Sequence, residues 1–215
     1  HERLRVEDPD RLDEQIAGYL RNAKARELLF SPIERYNDFV AHYRCRSEHS
    51  PLAWQRDLEL NDGSVLRVHG INSTLVSGPS DDNKSKKLVV GRAQSQLKEQ
   101  RGVAYLTMCH HPPDWLFDQD ELHKNLTNRA RIQLFGHKHW QRVEKTENSL
   151  RIGAGAVHPS RREKSWLPRY NWISVTVRTL KTQRLLDVEV HPRVWNSDLT
   201  KFVPDQAACS GDKSR

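Results

Sequence analysis

The chain has 215 residues, which is enough for one sizeable domain with its own core. Its 35 basic and 28 acidic residues give a formal charge of +7, but they are scattered along the chain, so a basic surface suits phosphate-bearing partners without choosing among them. No stretch approaches the roughly 18 apolar residues of a membrane-spanning helix, and the first residues have no secretory signal core. We therefore expect no membrane partner.

The three cysteines, Cys45, Cys109 and Cys209, are widely spaced and form no CxxC pair. Such a set is typical of a reducing compartment, so a cytoplasmic protein is predicted. The chain begins at His1 and not at a methionine, and we expect it to be part of a longer protein.

Two helices are predicted near the start of the chain. The first covers residues 9–29, where an apolar stripe recurs at helical spacing from Leu12 onward. The second begins at Ser31-Pro32. Its apolar side chains are expected to belong to the core: Ile33, Tyr36, Phe39, Val40 and Tyr43.

From Pro51 the spacing changes to that of β-strands. Alternating residues on both sides of Asn61-Asp62-Gly63 predict a β-hairpin, because this tripeptide is a strong turn signal. Residues 78–87 are polar and predict a loop, and a short helix is expected at 94–100.

Two short apolar runs predict strands that are buried on both faces. They cover residues 103–108 and 132–135, and a helix is predicted between them at 118–128. Alternation at 172–177 and 185–190 predicts antiparallel strands. Residues 196–215 are polar, and a linker or disordered tail is predicted there.

Each of the two buried strands ends in a histidine motif. Cys109-His110-His111-Pro112-Pro113 follows the first strand, and Gly136-His137-Lys138-His139 follows the second. Imidazole is a common metal ligand, and loops at strand ends are where α/β proteins build their sites. If the backbone stays extended after Gly136, His137 and His139 point the same way and can reach one metal centre or two adjacent ones.

An isolated HxH motif would more often be incidental than metal-binding. The combination of two buried strands, a glycine and two prolines is what distinguishes these histidines from the rest of the eleven. The others are interpreted as surface residues or satisfied core groups: His42, His49, His69, His123, His158 and His191.

These motifs resemble two conserved blocks of the calcineurin-like metallophosphoesterases. Cys109-His110-His111-Pro112-Pro113 is similar to the fourth block, and Phe135-Gly136-His137-Lys138-His139 is similar to the fifth, GHxH. The resemblance implies that His110 and His137 bind one metal ion and His139 binds a second. It implies that His111 orients the site without binding metal. The ions would be two divalent or trivalent metals among Mn, Fe, Zn and Ni.

The resemblance also implies a reaction and a fold. The reaction is hydrolysis of a phosphate monoester or diester by a metal-bridged hydroxide, with nucleotides or nucleic acid among the candidate substrates. Arg142, Arg161 and Arg162 follow the motifs and could contact phosphate, although solvated surface charge is the commoner role for such residues. The implied fold is an α/β, four-layer αββα sandwich. Residues 1–195 would be its C-terminal portion, with a helical insert at about 9–45 and without an N-terminal βαβ portion.

The chain departs from the family in its first blocks. It has neither DxH nor GDxxD, and His1-Glu2 is either the end of a GNHE block or unrelated sequence. Two ligands to one metal and one to the other fall short of the three that a catalytic metal normally needs. We therefore expect these residues alone to bind metal weakly and to turn over little or nothing.

Residues 51–195 further resemble a bacterial branch that is often fused to larger signalling or defence-type NTPase proteins. Four segments carry this resemblance: Pro51-Leu52-Ala53-Trp54, Gly70-Ile71-Asn72-Ser73, Gly91-Arg92-Ala93-Gln94 and Pro168-Arg169-Tyr170-Asn171-Trp172. It implies fusion to further domains.

Two alternatives to the enzyme remain. One is a non-catalytic module with the same fold that binds a partner. The other is a nucleic-acid-binding protein with an incidental HxH motif, which is disfavoured because no stacking-aromatic or recognition-helix pattern accompanies the charge.

Overall fold

The computed structural model describes residues 9–43, 52–78, 81–146, 148–160, 162 and 167–208. In this part of the chain the strands form a mixed six-stranded sheet and an antiparallel three-stranded sheet. The chain is therefore a mixed α/β protein, as the sequence predicted at the level of fold class.

The six-stranded sheet has the order β1-β2-β3-β4-β6-β5. Strands β2, β3, β4 and β6 run parallel, and β1 and β5 pair antiparallel at the two edges. The strands are β1 (Ala53–Glu59), β2 (Val65–Ile71), β3 (Val103–Cys109), β4 (Ala130–Phe135), β5 (Arg142–Lys145) and β6 (Leu150–Gly153).

Local sequence signals predicted several of these strands correctly. The hairpin β1–β2 turns at residues 60–64, where Gly63 has a φ of +77° that favours glycine. The predicted buried strands are β3 and β4, and the helix between them is α5 (Gln119–Arg129). The predicted loop at 78–87 has neither helix nor strand among its described residues.

The second sheet is formed by β7 (Arg169–Leu180), β8 (Gln183–Asn196) and β9 (Lys201–Pro204). The antiparallel pairing of β7 with β8 confirms the predicted strands. The prediction of a linker or tail from Asn196 is wrong up to residue 208, because β9 pairs with β8 and the Phe202 ring packs on Tyr170 and Trp195 at 4.8 and 5.2 Å between ring centroids. Residues 209–215 lie outside the described residues.

The six-stranded sheet is covered on both faces. One face packs against α5, with Leu122 and Leu126 both 1% exposed. The other face packs against the inner side of the second sheet through Leu106 and Ile132. The outer side of the second sheet leaves the Trp172 side chain 65% exposed. The described residues thus form three layers in the order helix, sheet, sheet.

Three helices precede β1: α1 (Pro9–Arg21), α2 (Ala23–Phe30) and α3 (Glu34–Ala41). The predicted first helix is interrupted at Asn22, whose side-chain oxygen accepts the Ala25 N–H and caps α2. Helix α1 packs on the body of the protein through Leu12 and Ile16, which are 1% and 3% exposed. None of the described helices combines the length and apolar character that a membrane crossing requires.

The prediction that the aromatic side chains of α3 belong to the core is wrong. Tyr36, Phe39 and Tyr43 are 58–64% exposed. Phe39 and Tyr43 pack on each other, with 5.2 Å between ring centroids. Periodicity indicates one apolar face of a helix, but it does not say whether a sheet lies within reach of that face.

The predicted helix at 94–100 is shorter and earlier, as α4 (Arg92–Ser95). It contributes Gln94 to a network of polar groups in which Gln94 and His69 are buried. Gln94, 1% exposed, donates to the carbonyls of Asn72 and Val90 and accepts the Asn72 N–H. The His69 Nε2 pairs with the Gln94 carbonyl at 2.7 Å, and its Nδ1 pairs with Gln55 at 3.0 Å. We call Gln55, His69, Asn72 and Gln94 the interior polar network.

Candidate metal centre

The four parallel strands end at the same level. Ile71 of β2 is in register with Cys109 of β3, Cys109 with Phe135 of β4, and Phe135 with Gly153 of β6. The loops that follow therefore start side by side at one edge of the sheet. This edge carries both histidine motifs, as expected for the carboxyl ends of parallel strands.

His110 and His137 meet at this edge. The Nε2 of His110 lies 3.1 Å from the Nδ1 of His137, and the two rings are nearly perpendicular. Gly136 allows this approach, since a Cβ at that position would lie 3.3 Å from the His110 Nδ1. If both residues bind one metal ion, as their motifs imply, a ring nitrogen of each must lie this close to the other.

His111 lies beneath the pair and is 6% exposed. Its Nδ1 pairs with the Ser73 hydroxyl at 2.9 Å, and its backbone N–H donates to the same oxygen. Because Nδ1 is engaged, the nitrogen left for the histidine cluster is Nε2. Ser73 follows β2 directly, so this bond joins the loop after β2 to the loop after β3.

His110, His111 and His137 each offer a ring nitrogen, and the three nitrogens lie within 4.8 Å of one another. We call these residues the histidine cluster. Two nitrogens bound to one zinc ion at about 2.0–2.1 Å in tetrahedral geometry are about 3.3 Å apart, close to the 3.1 Å between His110 and His137. The donor set therefore fits a metal that accepts imidazole. A search of the described residues for three or more ligating side chains that could hold one ion finds these three histidines.

All three cluster histidines favour the neutral form that binds metal. Burial lowers the pKa of His110 and His137, and the neighbouring histidines lower it further. Burial lowers the pKa of His111 to about 4, His110 and His137 contribute to the same shift, and the nearby Asp81 carboxylate opposes it. At neutral pH the three rings are therefore uncharged, and each has one nitrogen whose lone pair can bind a cation.

His139 is not part of the histidine cluster. Its side chain is half-buried and lies close enough to lower the pKa of His110 and His137. The expected extended backbone is absent here: His137 and His139 have φ of 65° and 52°, and the Lys138 N–H donates to the Gly136 carbonyl. A turn, and not strand alternation, therefore sets where the two imidazoles point. Left-handed φ at two non-glycine residues stores strain of a kind that is found at functional sites.

Two further contacts hold the loops together. The Lys138 Nζ forms an ion pair with Asp114, which follows the Pro112-Pro113 turn. The Trp115 ring packs edge-on against His137, with 4.1 Å between ring centroids. Neither contact is visible in the motifs themselves.

The sequence also missed Ser73 and Asp81. Ser73 could have been found, because it is a polar residue just after a buried strand. Asp81 could not, because it belongs to a loop whose conformation no local sequence pattern predicts. Of the arginines named as phosphate contacts, Arg142 forms an ion pair with Glu144. The backbone N–H of Arg162 donates to Ser160, and Arg161 lies outside the described residues.

No protein-family model matches the chain, and a search of curated proteins finds no significant match.

Proposed function

We propose that this chain is part of a metal-dependent phosphoesterase domain, and that the intact domain hydrolyses phosphate monoesters or diesters. The observation that carries the proposal is the meeting of His110 and His137, 3.1 Å apart, at the in-register ends of two parallel strands. His111 completes a group of three neutral imidazoles. The resemblance of both motifs to metallophosphoesterase blocks supports the same conclusion. The proposal includes a four-layer αββα sandwich as the fold of the intact domain and the cytoplasm as its location.

In this proposal His110 and His137 hold one ion and His139 is the candidate ligand of a second. A bound metal ion of this kind polarises a phosphoryl oxygen and lowers the pKa of water. Mn, Fe, Zn and Ni all accept imidazole. The remaining residues position the ligands: Ser73 fixes the His111 ring, Trp115 backs His137, and the Lys138–Asp114 ion pair ties the two loops.

A non-catalytic metal-binding module is the second candidate. One observation favours this candidate. The group of ligating side chains found among the described residues consists of three histidines and contains no carboxylate. Hydrolytic dinuclear sites need negative ligands to offset the repulsion of two cations.

A metal titration with an activity assay tests the proposal. Zn²⁺ and Mn²⁺ are titrated calorimetrically into the whole chain, and hydrolysis of bis-p-nitrophenyl phosphate is measured with each ion. His137→Ala is expected to weaken metal binding by about 10- to 100-fold, as loss of a ligand or its support does. His191→Ala, an exposed histidine of the second sheet, is the matched control.

The outcomes separate the candidates. Equal metal binding by His137→Ala and the unmodified chain rejects the metal centre. Metal binding that depends on His137, together with slow hydrolysis of the diester or of p-nitrophenyl phosphate that His137→Ala abolishes, favours the phosphoesterase over the non-catalytic module.

A further inference from the structure

Trp140 directly follows His139, and its indole is 59% exposed. Its backbone is nevertheless held tightly. The Gln141 side chain turns inward and donates to the Tyr170 carbonyl and to the Asn171 side-chain oxygen at 3.0 and 2.5 Å. On the other side, Gly153 approaches so closely that a Cβ there would lie 2.8 Å from the Trp140 carbonyl oxygen. The backbone at Trp140 is thus held in place next to His139 in the sequence, and it presents a large aromatic ring to solvent.

Arg142 is presented together with this ring. The Gln141 side chain is buried, whereas the side chains of Trp140 and Arg142 are 59% and 54% exposed. The Arg142 guanidinium carbon lies 5.1 Å from the centre of the indole, within the range of a cation–π contact. Its Nε forms an ion pair with Glu144 at 2.8 Å, which orients the guanidinium. We call Trp140 and Arg142 the indole platform.

A flat π-surface beside a cation matches the chemistry of a nucleotide better than that of other phosphate esters. Aromatic side chains stack on bases of any sequence, and guanidinium groups pair with phosphate. The excess of positive charge over the chain, +7, favours an anionic occupant. A single indole with a paired arginine offers too little apolar area for a stable protein interface.

We propose that the indole platform stacks a nucleobase of the substrate whose phosphate is handled at the histidine cluster. The substrate class is then a nucleobase-bearing phosphate ester, either a free nucleotide or single-stranded nucleic acid. This inference rests on the proposed function, since it names the substrate class of the same site.

Binding of a fluorescein-labelled hexathymidylate, measured by anisotropy on the whole chain, tests the platform. A strand of the same length made of abasic residues keeps the phosphates and removes the bases. Trp140→Ala is expected to weaken binding of hexathymidylate by about tenfold, as loss of one base stack does, and to leave binding of the abasic strand unchanged. Trp140→Phe, which keeps an aromatic ring, is expected to restore most of the affinity.

Trp172→Ala is the matched control, because Trp172 is an equally exposed tryptophan on the second sheet. An equal loss in Trp172→Ala, an equal loss on the abasic strand, or no loss in Trp140→Ala overturns the proposal. Competition with thymidine monophosphate decides the source: comparable affinity of the monophosphate and the hexamer indicates a free nucleotide, and much weaker competition indicates a strand.

The measurements in EDTA separate this proposal from the proposed function. Stacking needs no metal, so the Trp140→Ala loss on hexathymidylate is expected to persist in EDTA and in His137→Ala. If Trp140→Ala has no effect while His137→Ala abolishes metal binding, the platform is rejected and the metal centre stands. If metal binding does not depend on His137 while stacking depends on Trp140, the metal centre is rejected and the platform remains as a base-binding surface.

Discussion

The interior polar network and the histidine cluster both contain histidines beside parallel strands, but their nitrogens have different partners. In the interior network, His69 is 5% exposed, and its two ring nitrogens pair with a backbone carbonyl and a side-chain amide. In the histidine cluster, ring nitrogens of His110 and His137 face each other. Histidines paired with protein amides and carbonyls hold the fold together. Histidines whose nitrogens converge have the arrangement that the proposed metal centre requires, so the partners of the ring nitrogens separate two regions that residue type does not.

The largest expected effect comes from the interior polar network. Gln94→Leu keeps the volume but removes the partners of the Asn72 N–H and of the Asn72 and Val90 carbonyls. Buried groups left without partners cost roughly 1–3 kcal/mol each before relaxation, so a loss of about 3 kcal/mol in the free energy of unfolding is expected. Urea denaturation in EDTA measures it.

Gln96→Leu is the control for this substitution, because Gln96 lies at the end of the same helix and is exposed. It is expected to change stability by less than about 0.5 kcal/mol. Equal effects of the two substitutions would show that the network contributes nothing specific to the fold.

The interior network also marks the limit of what the sequence could predict. The strands β3 and β4 and their terminal histidines follow from short apolar runs and motifs that are local in the chain. The Gln94 contacts join residues 22 apart, and the Ser73–His111 contact joins residues 38 apart. No local periodicity encodes such a pairing. That His110 and His137 share a site was implied by the family resemblance of their motifs, and the parallel pairing of β3 with β4 is what brings the two residues together.

The exposed aromatic side chains at the end of the helical segment show the same limit, since local periodicity did not predict their burial. The spacing of Tyr36, Phe39 and Tyr43 gave the correct helical face but the wrong burial, because burial depends on what lies opposite. In the second sheet, β9 is only four residues long and pairs with a strand that ends just before it, so polar flanking residues concealed it.

A smaller effect is expected from acid, which acts on the interior polar network through His69. Burial lowers the pKa of His69, so the folded protein keeps this ring neutral while the unfolded chain binds a proton near pH 6.5. Its contribution to stability is therefore fully present above pH 6.5 and is lost as the pH falls below that value. We expect the unmodified protein to lose more stability between pH 7.5 and 5.5 than His69→Gln does.

Unfolding free energies of both proteins at the two pH values give this difference directly. The comparison removes the contribution of the cluster histidines, whose lowered pKa is common to both proteins. Parallel pH dependences of the two proteins would contradict a neutral, buried His69.

The smallest effect on stability is expected at the histidine cluster itself. His110 is exposed and meets another imidazole, so His110→Ala in EDTA is expected to change the free energy of unfolding by no more than about 0.5–1 kcal/mol. Zinc at 100 times its Kd should then raise the free energy of unfolding of the unmodified protein by about 2.7 kcal/mol. It should leave His110→Ala unchanged, because a ligand stabilises only a protein that binds it. Gln94→Leu, although less stable, should keep that zinc-dependent gain. A His110→Ala protein as destabilised in EDTA as Gln94→Leu, and equally stabilised by zinc, would make the cluster a structural element and remove the distinction between the two regions.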